Sequence, residues 1–144
     1  MKKFLFFSVT LVSLFVASCK KTTITSPTTP TNPNPIVGLW VGLYQVDGAA
    51  SLGSFYYGLS LFSDSTIIQQ GGTPNGQIYT SAGTWSLHDS LFSATLTGTD
   101  LTIPANIQTI TAIYDSTAGT LSSGKMKYVV GGNTTGTFSL KRVK

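Results

Sequence analysis

Side chains able to carry out catalysis are sparse in this chain. Beyond position 35 it has one histidine, His88, no cysteine and no glutamate. His88 precedes Asp89, but in a serine-hydrolase triad the aspartate must orient the imidazole. Neighbouring side chains in a strand or turn are expected to diverge instead. The sequence therefore predicts a solvent-exposed turn histidine and a protein that is not an enzyme.

Carboxylates and metal ligands are also few. The acidic residues are five aspartates: Asp47, Asp64, Asp89, Asp100 and Asp115. Three of them precede a serine in pairs typical of turns, whereas glycoside hydrolysis requires two carboxylates that face each other. A zinc site needs three or four suitable ligands, and one histidine with scattered aspartates does not supply them. We expect no catalytic residue, no metal and no cofactor.

Aromatic side chains are the remaining candidates for function. Rings with a polar tip suit either a protein core or the wall of a ligand pocket. Six are candidate ligand-binding residues: Trp40, Tyr44, Tyr57, Tyr79, Trp85 and Tyr128. For each residue alone, core packing is the competing interpretation. The binding hypothesis therefore depends on the shape of the fold that positions them.

The N-terminus has the pattern of a secretory leader. Two lysines follow Met1, and residues 4–17 carry no charge. Lys20 and Lys21 end this apolar stretch before it reaches the roughly 20 residues of a spanning helix. We therefore predict a cleaved signal peptide at residues 1–18.

The end of the leader resembles the lipobox of bacterial lipoproteins. It reads Val16-Ala17-Ser18-Cys19, and the resemblance implies that Cys19 becomes a lipidated N-terminus carrying diacylglycerol and an acyl chain. Two or three acyl chains hold a protein stably on a membrane. Residues 19–35 then form a lipidated cysteine and a Pro/Thr-rich tether. By analogy, we expect an outer-membrane lipoprotein that faces the periplasm.

Charge is confined to the leader and tether. The formal net charge of +4 equals the contribution of Lys2, Lys3, Lys20 and Lys21, and five basic and five acidic residues remain in 36–144. A sequence-independent nucleic-acid surface requires a basic stripe. We therefore expect no nucleic-acid partner, and the sequence indicates no oligomeric state.

Residues 36–144 are predicted to form one all-β domain. Period-two alternation dominates, as in Phe92, Ala94 and Leu96. The first two strands are apolar on both faces, so alternation does not identify their inner side. Eight strands are predicted, near 36–46, 54–63, 65–70, 77–87, 90–98, 107–114, 119–130 and 134–142.

Turn chemistry indicates how the strands connect. Asp-Ser occurs at 64–65, 89–90 and 115–116, each time between two predicted strands. The intervening connections are roomier: 47–53, 71–76, 99–106 and 131–133. In an antiparallel meander alternate connections lie at the same end, so one end is closed by tight turns. The pattern favours an eight-stranded up-and-down barrel, and a β-sandwich is the alternative.

The domain also resembles the lipocalin and wider calycin group. Gly38-Leu39-Trp40 resembles the Gly-x-Trp of the first strand in that group, and Arg142 lies near the end of the last strand. The resemblance implies a barrel in which the arginine packs over the Trp40 ring at the closed end. It differs from full lipocalins in having no disulfide and no helix after the last strand. The compact lipocalin-like lipoproteins of Bacteroidota are more similar.

Two functional hypotheses follow. In the first, the chain is a cell-envelope lipoprotein whose barrel binds a small apolar ligand or a partner protein. In the second, it is a structural or interaction lipoprotein with a filled barrel and no ligand. The volume enclosed by the barrel distinguishes them, because a solid interior leaves no room for a ligand.

Overall fold

The barrel consists of eight antiparallel strands. A computed structural model describes residues 34–99, 106–130 and 134–144. The strands are β1 (Gly38–Val46), β2 (Phe55–Leu61), β3 (Thr66–Gly72), β4 (Ile78–His88), β5 (Leu91–Gly98), β6 (Ile107–Asp115), β7 (Thr120–Tyr128) and β8 (Thr135–Arg142). One short 3-10 turn, Ala50–Leu52, lies between β1 and β2. The all-β prediction with eight strands is confirmed.

Each strand pairs with its neighbours in sequence, and β1 pairs with β8 to close the barrel. Across that seam Trp40 is opposite Arg142 and Tyr44 is opposite Phe138. Closure leaves no strand with an unpaired edge among the eight. The up-and-down barrel prediction is therefore confirmed, and the sandwich alternative is wrong.

The inner side of the first two strands is now identified. Trp40, Tyr44 and Tyr57 are buried in the interior, whereas Leu39 and Leu43 lie on the outer side and are 42% and 57% exposed. One apolar side of β1 therefore packs in the core, and the other forms an apolar patch on the outer surface. Alternation alone could not distinguish these two roles.

Gly42 explains why β1 carries a second glycine. A Cβ at this position would collide with the backbone carbonyl of Ser139 in β8. The two backbones approach closely where the sheet bends to close, and glycine is the residue that permits such an approach. Gly42, two residues after Trp40, therefore allows the barrel to close.

The three Asp-Ser turns lie at one end of the barrel, as predicted from their alternation along the chain. The Asp64 carboxylate accepts a hydrogen bond from the Thr66 amide at 3.0 Å. Asp115 accepts two, from the amides of Thr117 and Ala118, each at 2.8 Å. Asp89 adopts a left-handed conformation with φ of 55°, which tightens the connection between β4 and β5. We call this the closed end.

The opposite end carries the roomier connections, of which 100–105 and 131–133 lie outside the described residues. Among the described connections, the turn between β3 and β4 is closed by a hydrogen bond of 2.9 Å from the Gly76 amide to the Thr73 carbonyl. The sequence prediction ended β3 at residue 70, whereas the strand continues to Gly72. Position 71 in this strand is a glycine because the Tyr79 ring occupies the space that any larger side chain would need.

Candidate binding cavity

The closed half of the barrel is filled by apolar side chains. Its largest buried residues include Trp40, Leu61, Ile67, Phe92, Leu121 and Leu140. Ile36, which precedes β1, is fully buried there. The edge of the Tyr114 ring packs against Trp40 with a centroid distance of 5.9 Å. This half therefore resembles an ordinary close-packed protein core.

Polar atoms in the closed half have hydrogen-bond partners. The Trp40 indole nitrogen donates to the Ile36 carbonyl at 2.8 Å, and the Trp85 indole nitrogen donates to the Phe62 carbonyl at 3.1 Å. The first bond joins the Trp40 ring to the chain that enters β1, and the second joins the Trp85 ring to the backbone near the turn between β2 and β3. They satisfy the only polar atom that each tryptophan side chain has.

Arg142 lies at this end beside the start of β1. Its Nη2 donates to the Val37 carbonyl at 2.7 Å. Its guanidinium covers Gly38, where a Cβ would lie 3.4 Å from Arg142 Nε and where φ is 140°. Arg142 and Trp40 are register partners, while stacking of the guanidinium on the indole stays a prediction. Gly38 is a glycine for two reasons: the left-handed backbone and the overlying arginine.

A cavity of about 830 Å³ occupies the opposite half. Its wall combines aromatic and aliphatic side chains with uncharged polar ones. The lining residues are Tyr44, Val46, Thr73, Gln77, Ile78, Tyr79, Thr80, Ser81, Gly98, Thr99, Asn106, Met126, Tyr128 and Thr134. None of these side chains is charged. The volume lies within the range of roughly 300–1,000 Å³ that holds drug-sized ligands in proteins.

Four tyrosines cluster at the inner part of this half. Tyr44, Tyr79 and Tyr128 line the cavity, and the Tyr57 ring lies 5.4 Å from that of Tyr44. The Tyr44 hydroxyl donates to the Gly72 carbonyl at 2.8 Å. Gly72 follows Gly71, the glycine that makes room for the Tyr79 ring. The pair therefore positions two of the cavity rings.

Buried polar atoms without partners lie in the barrel interior, next to residues that line the cavity. Among the described residues, buried side-chain atoms of Tyr57, Gln69 and Gln108 have no hydrogen bond, whereas the Tyr79 hydroxyl interacts with the hydroxyl of Tyr128. Gln69 is opposite Ser81 in the β3–β4 register, and Gln108 is opposite Tyr128 in the β6–β7 register. Both of those partners line the cavity. The glutamines therefore lie level with the inner cavity wall.

The cavity environment disfavours charge. Burial raises the pKa of Tyr57, Tyr79 and Tyr128 above the ordinary value of 10.0, because the ionised phenolate loses its hydration there. The phenols thus remain neutral hydrogen-bonding groups well above neutral pH.

The predicted binding residues separate into two groups. Tyr44, Tyr79 and Tyr128 line the cavity and Tyr57 lies against them, whereas Trp40 and Trp85 are in the closed half and outside the cavity wall. Ring type alone did not reveal which half each ring would occupy. Sequence reasoning missed the buried polar residues Gln69 and Gln108. Alternation gave no signal for Gln69, because two adjacent isoleucines precede two adjacent glutamines there.

His88 and Asp89 lie at the closed end, away from the cavity. Their side chains are 91% and 90% exposed, and His88 Nδ1 is 3.2 Å from an Asp89 carboxylate oxygen. The expectation that adjacent side chains diverge is wrong here, because the left-handed backbone of Asp89 turns its carboxylate towards the imidazole. Within the described ranges, no group of three or more His, Cys, Asp or Glu side chains is placed to hold a metal ion.

The fold and cavity together define a class: a closed eight-stranded barrel, packed at one end and hollow at the other. No protein-family model, curated protein or solved structure matches the chain. In the part of the chain that the structure describes, no helix is long and apolar enough to cross a membrane. Cys19, the leader and the tether lie outside the described residues.

Proposed function

We propose that this chain is an exported lipoprotein of the bacterial cell envelope whose barrel is a non-enzymatic binding module for a small ligand. The cavity of about 830 Å³ is the observation that supports this most directly. A barrel that served only as a spacer would gain stability from a filled interior. Here only one half is filled, and the other presents aromatic and uncharged polar groups around a space of ligand size.

The position at which the tether joins the barrel supports the same proposal. Residue 36 enters at the closed end, where Ile36 is buried and accepts the Trp40 hydrogen bond. The cavity opens at the other end. Anchoring through Cys19 therefore leaves the cavity mouth accessible to a ligand, and we propose the periplasmic face of the outer membrane as the site of attachment.

The second candidate is recognition of a partner protein by the outer surface. Leu39 and Leu43 of β1 are exposed beside Tyr56 of β2 and Ile68 of β3, which are each 40% exposed. The register places Leu43 opposite Tyr56 and Ser60 opposite Ile68. Adjacent exposed apolar groups of this kind favour a protein interface. This surface does not require the cavity.

Native mass spectrometry of the full chain purified from its own membrane tests the ligand proposal. We expect a bound small molecule that is lost on denaturation. A Gly98→Phe variant provides the test of location, because Gly98 lines the cavity and a Cβ there meets nothing within 4 Å. The added ring should occupy part of the cavity and lower the amount of bound molecule that is retained.

Thr97→Phe is the matched control, since Thr97 is the preceding residue of β5 and is exposed on the outer side. It should retain the bound molecule. Wild-type protein that carries the lipid and nothing else would contradict the ligand proposal and favour the outer-surface alternative. Equal retention by both variants would place the ligand outside the cavity.

Membrane attachment is tested by Cys19→Ser. The variant should move from the membrane fraction to the soluble fraction and lose incorporation of labelled fatty acid, because no thiol remains for lipidation. Ser18→Ala keeps a small residue before the cysteine and should leave both unchanged. Unaltered partitioning of Cys19→Ser would refute the lipid anchor.

A further inference from the structure

We propose that the outer surface of β7 and β8 binds an acidic polysaccharide, which lies along the two strands and pairs its anionic groups with Lys125, Lys127 and Lys141. The three lysines are exposed, and each is a strand neighbour of a buried residue, so they lie on the outer side of the wall. The site is therefore separate from the cavity. The proposal goes beyond the cavity ligand and does not depend on it.

The charge on the outer wall supports this proposal. Among the described residues, the carboxylates lie in the connections at the two ends of the barrel or at the end of a strand. They are Asp47, Asp64, Asp89 and Asp115. The one ion pair within the described ranges joins His88 to Asp89, so the three lysines have no carboxylate partner there. Unpaired cations on one side of the wall attract an anionic chain.

The lysines follow one another along the strand direction. Lys127 and Lys125 are two residues apart on β7, which corresponds to about 7 Å. Lys125 is opposite Thr137 in the β7–β8 register. Lys141 follows Thr137 by four residues on β8 and so lies about 13 Å further along. The line of charges is about 20 Å long, and one extended polymer can contact all of it.

Two open grooves adjoin beside these charges. One has a volume of about 350 Å³ and is lined in part by Lys125 and Lys127. The other has a volume of about 340 Å³, and its lining includes Ser123, Lys125 and Ser139. Lys125 and Thr137 line both, and we call the joined surface the lysine groove. It offers continuous contact to a chain that lies along β7 and β8.

Hydroxyl groups flank two of the lysines on both sides. In the strand register, Lys125 and Lys127 each lie between a threonine of β6 and a threonine of β8. These residues are Thr109, Thr111, Thr135 and Thr137. A threonine hydroxyl both donates and accepts hydrogen bonds, as the hydroxyls of a sugar do. The groove therefore offers a sugar chain hydrogen bonds beside its charges.

Asp47 limits the groove at the open end of the barrel. It belongs to the groove lining, and its carboxylate accepts a hydrogen bond from the Thr135 hydroxyl at 2.6 Å. An anionic chain is repelled there. We therefore expect the chain to extend from Lys127 towards the closed end.

Other polyanions match this surface less well. A peptide that adds a strand requires a free sheet edge, and the eight strands form a closed barrel. A membrane surface favours exposed apolar groups, whereas Leu43 is the one exposed large apolar side chain among the described lining residues of the groove. A nucleic-acid strand carries a charge about every 3.4 Å, far more densely than three lysines over about 20 Å. A polysaccharide with acidic groups on some of its rings matches the sparser spacing.

Four probes test the proposal: polygalacturonate, its fully methyl-esterified form, polyglutamate, and vesicles of phosphatidylglycerol. Dissociation constants are measured by biolayer interferometry with the full chain on the sensor at neutral pH. We expect polygalacturonate to bind at least about tenfold more tightly than the ester, which has the same sugar chain without its charge. It should also bind more tightly than polyglutamate, which has carboxylates without hydroxyls, and than the vesicles. Added salt should weaken its binding.

Lysine variants locate the charge contacts. Lys125→Gln and Lys127→Gln should each weaken polygalacturonate about threefold, as expected for an exposed charge pair. Lys144→Gln removes an exposed charge that follows β8 and is outside the groove lining. This control should weaken binding less than about 1.5-fold.

Threonine variants test the hydroxyl contacts. The double variant Thr111→Val with Thr137→Val keeps the shape of both exposed side chains and should weaken polygalacturonate about threefold. The matched control is Thr84→Val with Thr95→Val, a pair of exposed threonines opposite each other on β4 and β5. It should leave binding unchanged.

Equal binding of polygalacturonate and its ester would overturn the role of charge, and equal binding of polyglutamate would overturn the choice of a polysaccharide. Tightest binding of the vesicles would overturn the proposal in favour of an anionic membrane surface. Equal losses in Lys125→Gln and Lys144→Gln would show that the lysine groove is not the site. A ligand in the cavity is tested separately, by the bound mass and Gly98→Phe.

Discussion

The two halves of this barrel are built from the same eight strands but differ in how their interiors are packed and hydrogen bonded. In the closed half, both tryptophan nitrogens donate to backbone carbonyls and apolar side chains fill the interior. In the open half, Tyr57, Gln69 and Gln108 keep buried polar atoms without hydrogen bonds, and a cavity of about 830 Å³ is left unfilled. The closed half is organised for stability. The open half gives up stability, as binding sites commonly do.

The largest difference between the halves should appear in a pair of deletions on β7. Leu121→Ala removes a fully buried side chain from the closed half, and we expect the free energy of unfolding to fall by about 3–5 kcal/mol. Met126→Ala removes a similar side chain from the cavity wall and enlarges a space that already exists. Its expected loss is about 2 kcal/mol.

Urea unfolding of both variants measures the comparison. Equal losses, or a greater loss for Met126→Ala, would show that the open half is packed as tightly as the closed half. The distinction between the halves would then be wrong.

Alkaline pH should lower the free energy of unfolding through the buried tyrosines of the open half. The folded-state pKa values of Tyr57 and Tyr79 lie above the ordinary value of 10.0 because burial disfavours the phenolate. Their contribution to stability is therefore fully present below about pH 10 and is lost as pH rises beyond it. We expect a decrease of up to about 1.4 kcal/mol per pH unit for each tyrosine.

Urea unfolding between about pH 8 and about pH 11 measures this decrease. The double variant Tyr57→Phe with Tyr79→Phe should show a weaker pH dependence, with the remainder due in part to Tyr128, whereas Tyr56→Phe, on the exposed outer side, should retain the full dependence. An unchanged slope in the double variant would mean that other groups are responsible.

A smaller effect with the opposite sign is expected at Gln69, in the barrel interior. Gln69→Met removes two unpaired polar atoms while keeping the shape of the side chain, so the free energy of unfolding should rise by about 1–2 kcal/mol. Gln70→Met on the outer side should change it by less than about 0.5 kcal/mol. A destabilised Gln69→Met variant would indicate that the wild-type amide is already hydrogen bonded.

The smallest effect is expected at the closed-end arginine. Arg142→Ala removes the hydrogen bond to the Val37 carbonyl and the cover over Gly38, and the free energy of unfolding should fall by about 1 kcal/mol. Lys141→Ala, the exposed neighbour, is the control. Thermal unfolding of the two variants with the same midpoint would mean that the arginine contributes nothing to closure.

Most of the fold could be predicted from alternation and turn chemistry. Strand β5 alternates cleanly, and the Asp-Ser pairs mark three connections that share one end. The continuation of β3 through Gly71 and Gly72 could not be predicted, because glycines in a strand normally weaken it. They are tolerated because the Tyr79 ring fills the space over Gly71.

The candidate site was harder to predict than the fold. Tyr44, Tyr79 and Tyr128, which residue type indicated as ligand-binding candidates, line the cavity, and their binding of a ligand stays a prediction. The segment that contains Gln69 has two adjacent isoleucines followed by two adjacent glutamines, so period-two parity assigns no inner side to either glutamine. Only the register with β2 and β4 shows that Gln69 points inward while Gln70 is exposed.

The central claim is that the cavity of the open half receives a ligand while the closed half does not respond. One nitrogen–proton correlation NMR spectrum of the full chain reports on both halves, since it contains the backbone amides of the cavity-lining residues Gly98 and Tyr128 and the indole N–H groups of Trp40 and Trp85. On addition of the molecule that native mass spectrometry identifies, we predict shifts of the Gly98 and Tyr128 amides with both indole signals unchanged. Shifted indoles with unmoved amides of Gly98 and Tyr128 would contradict the account.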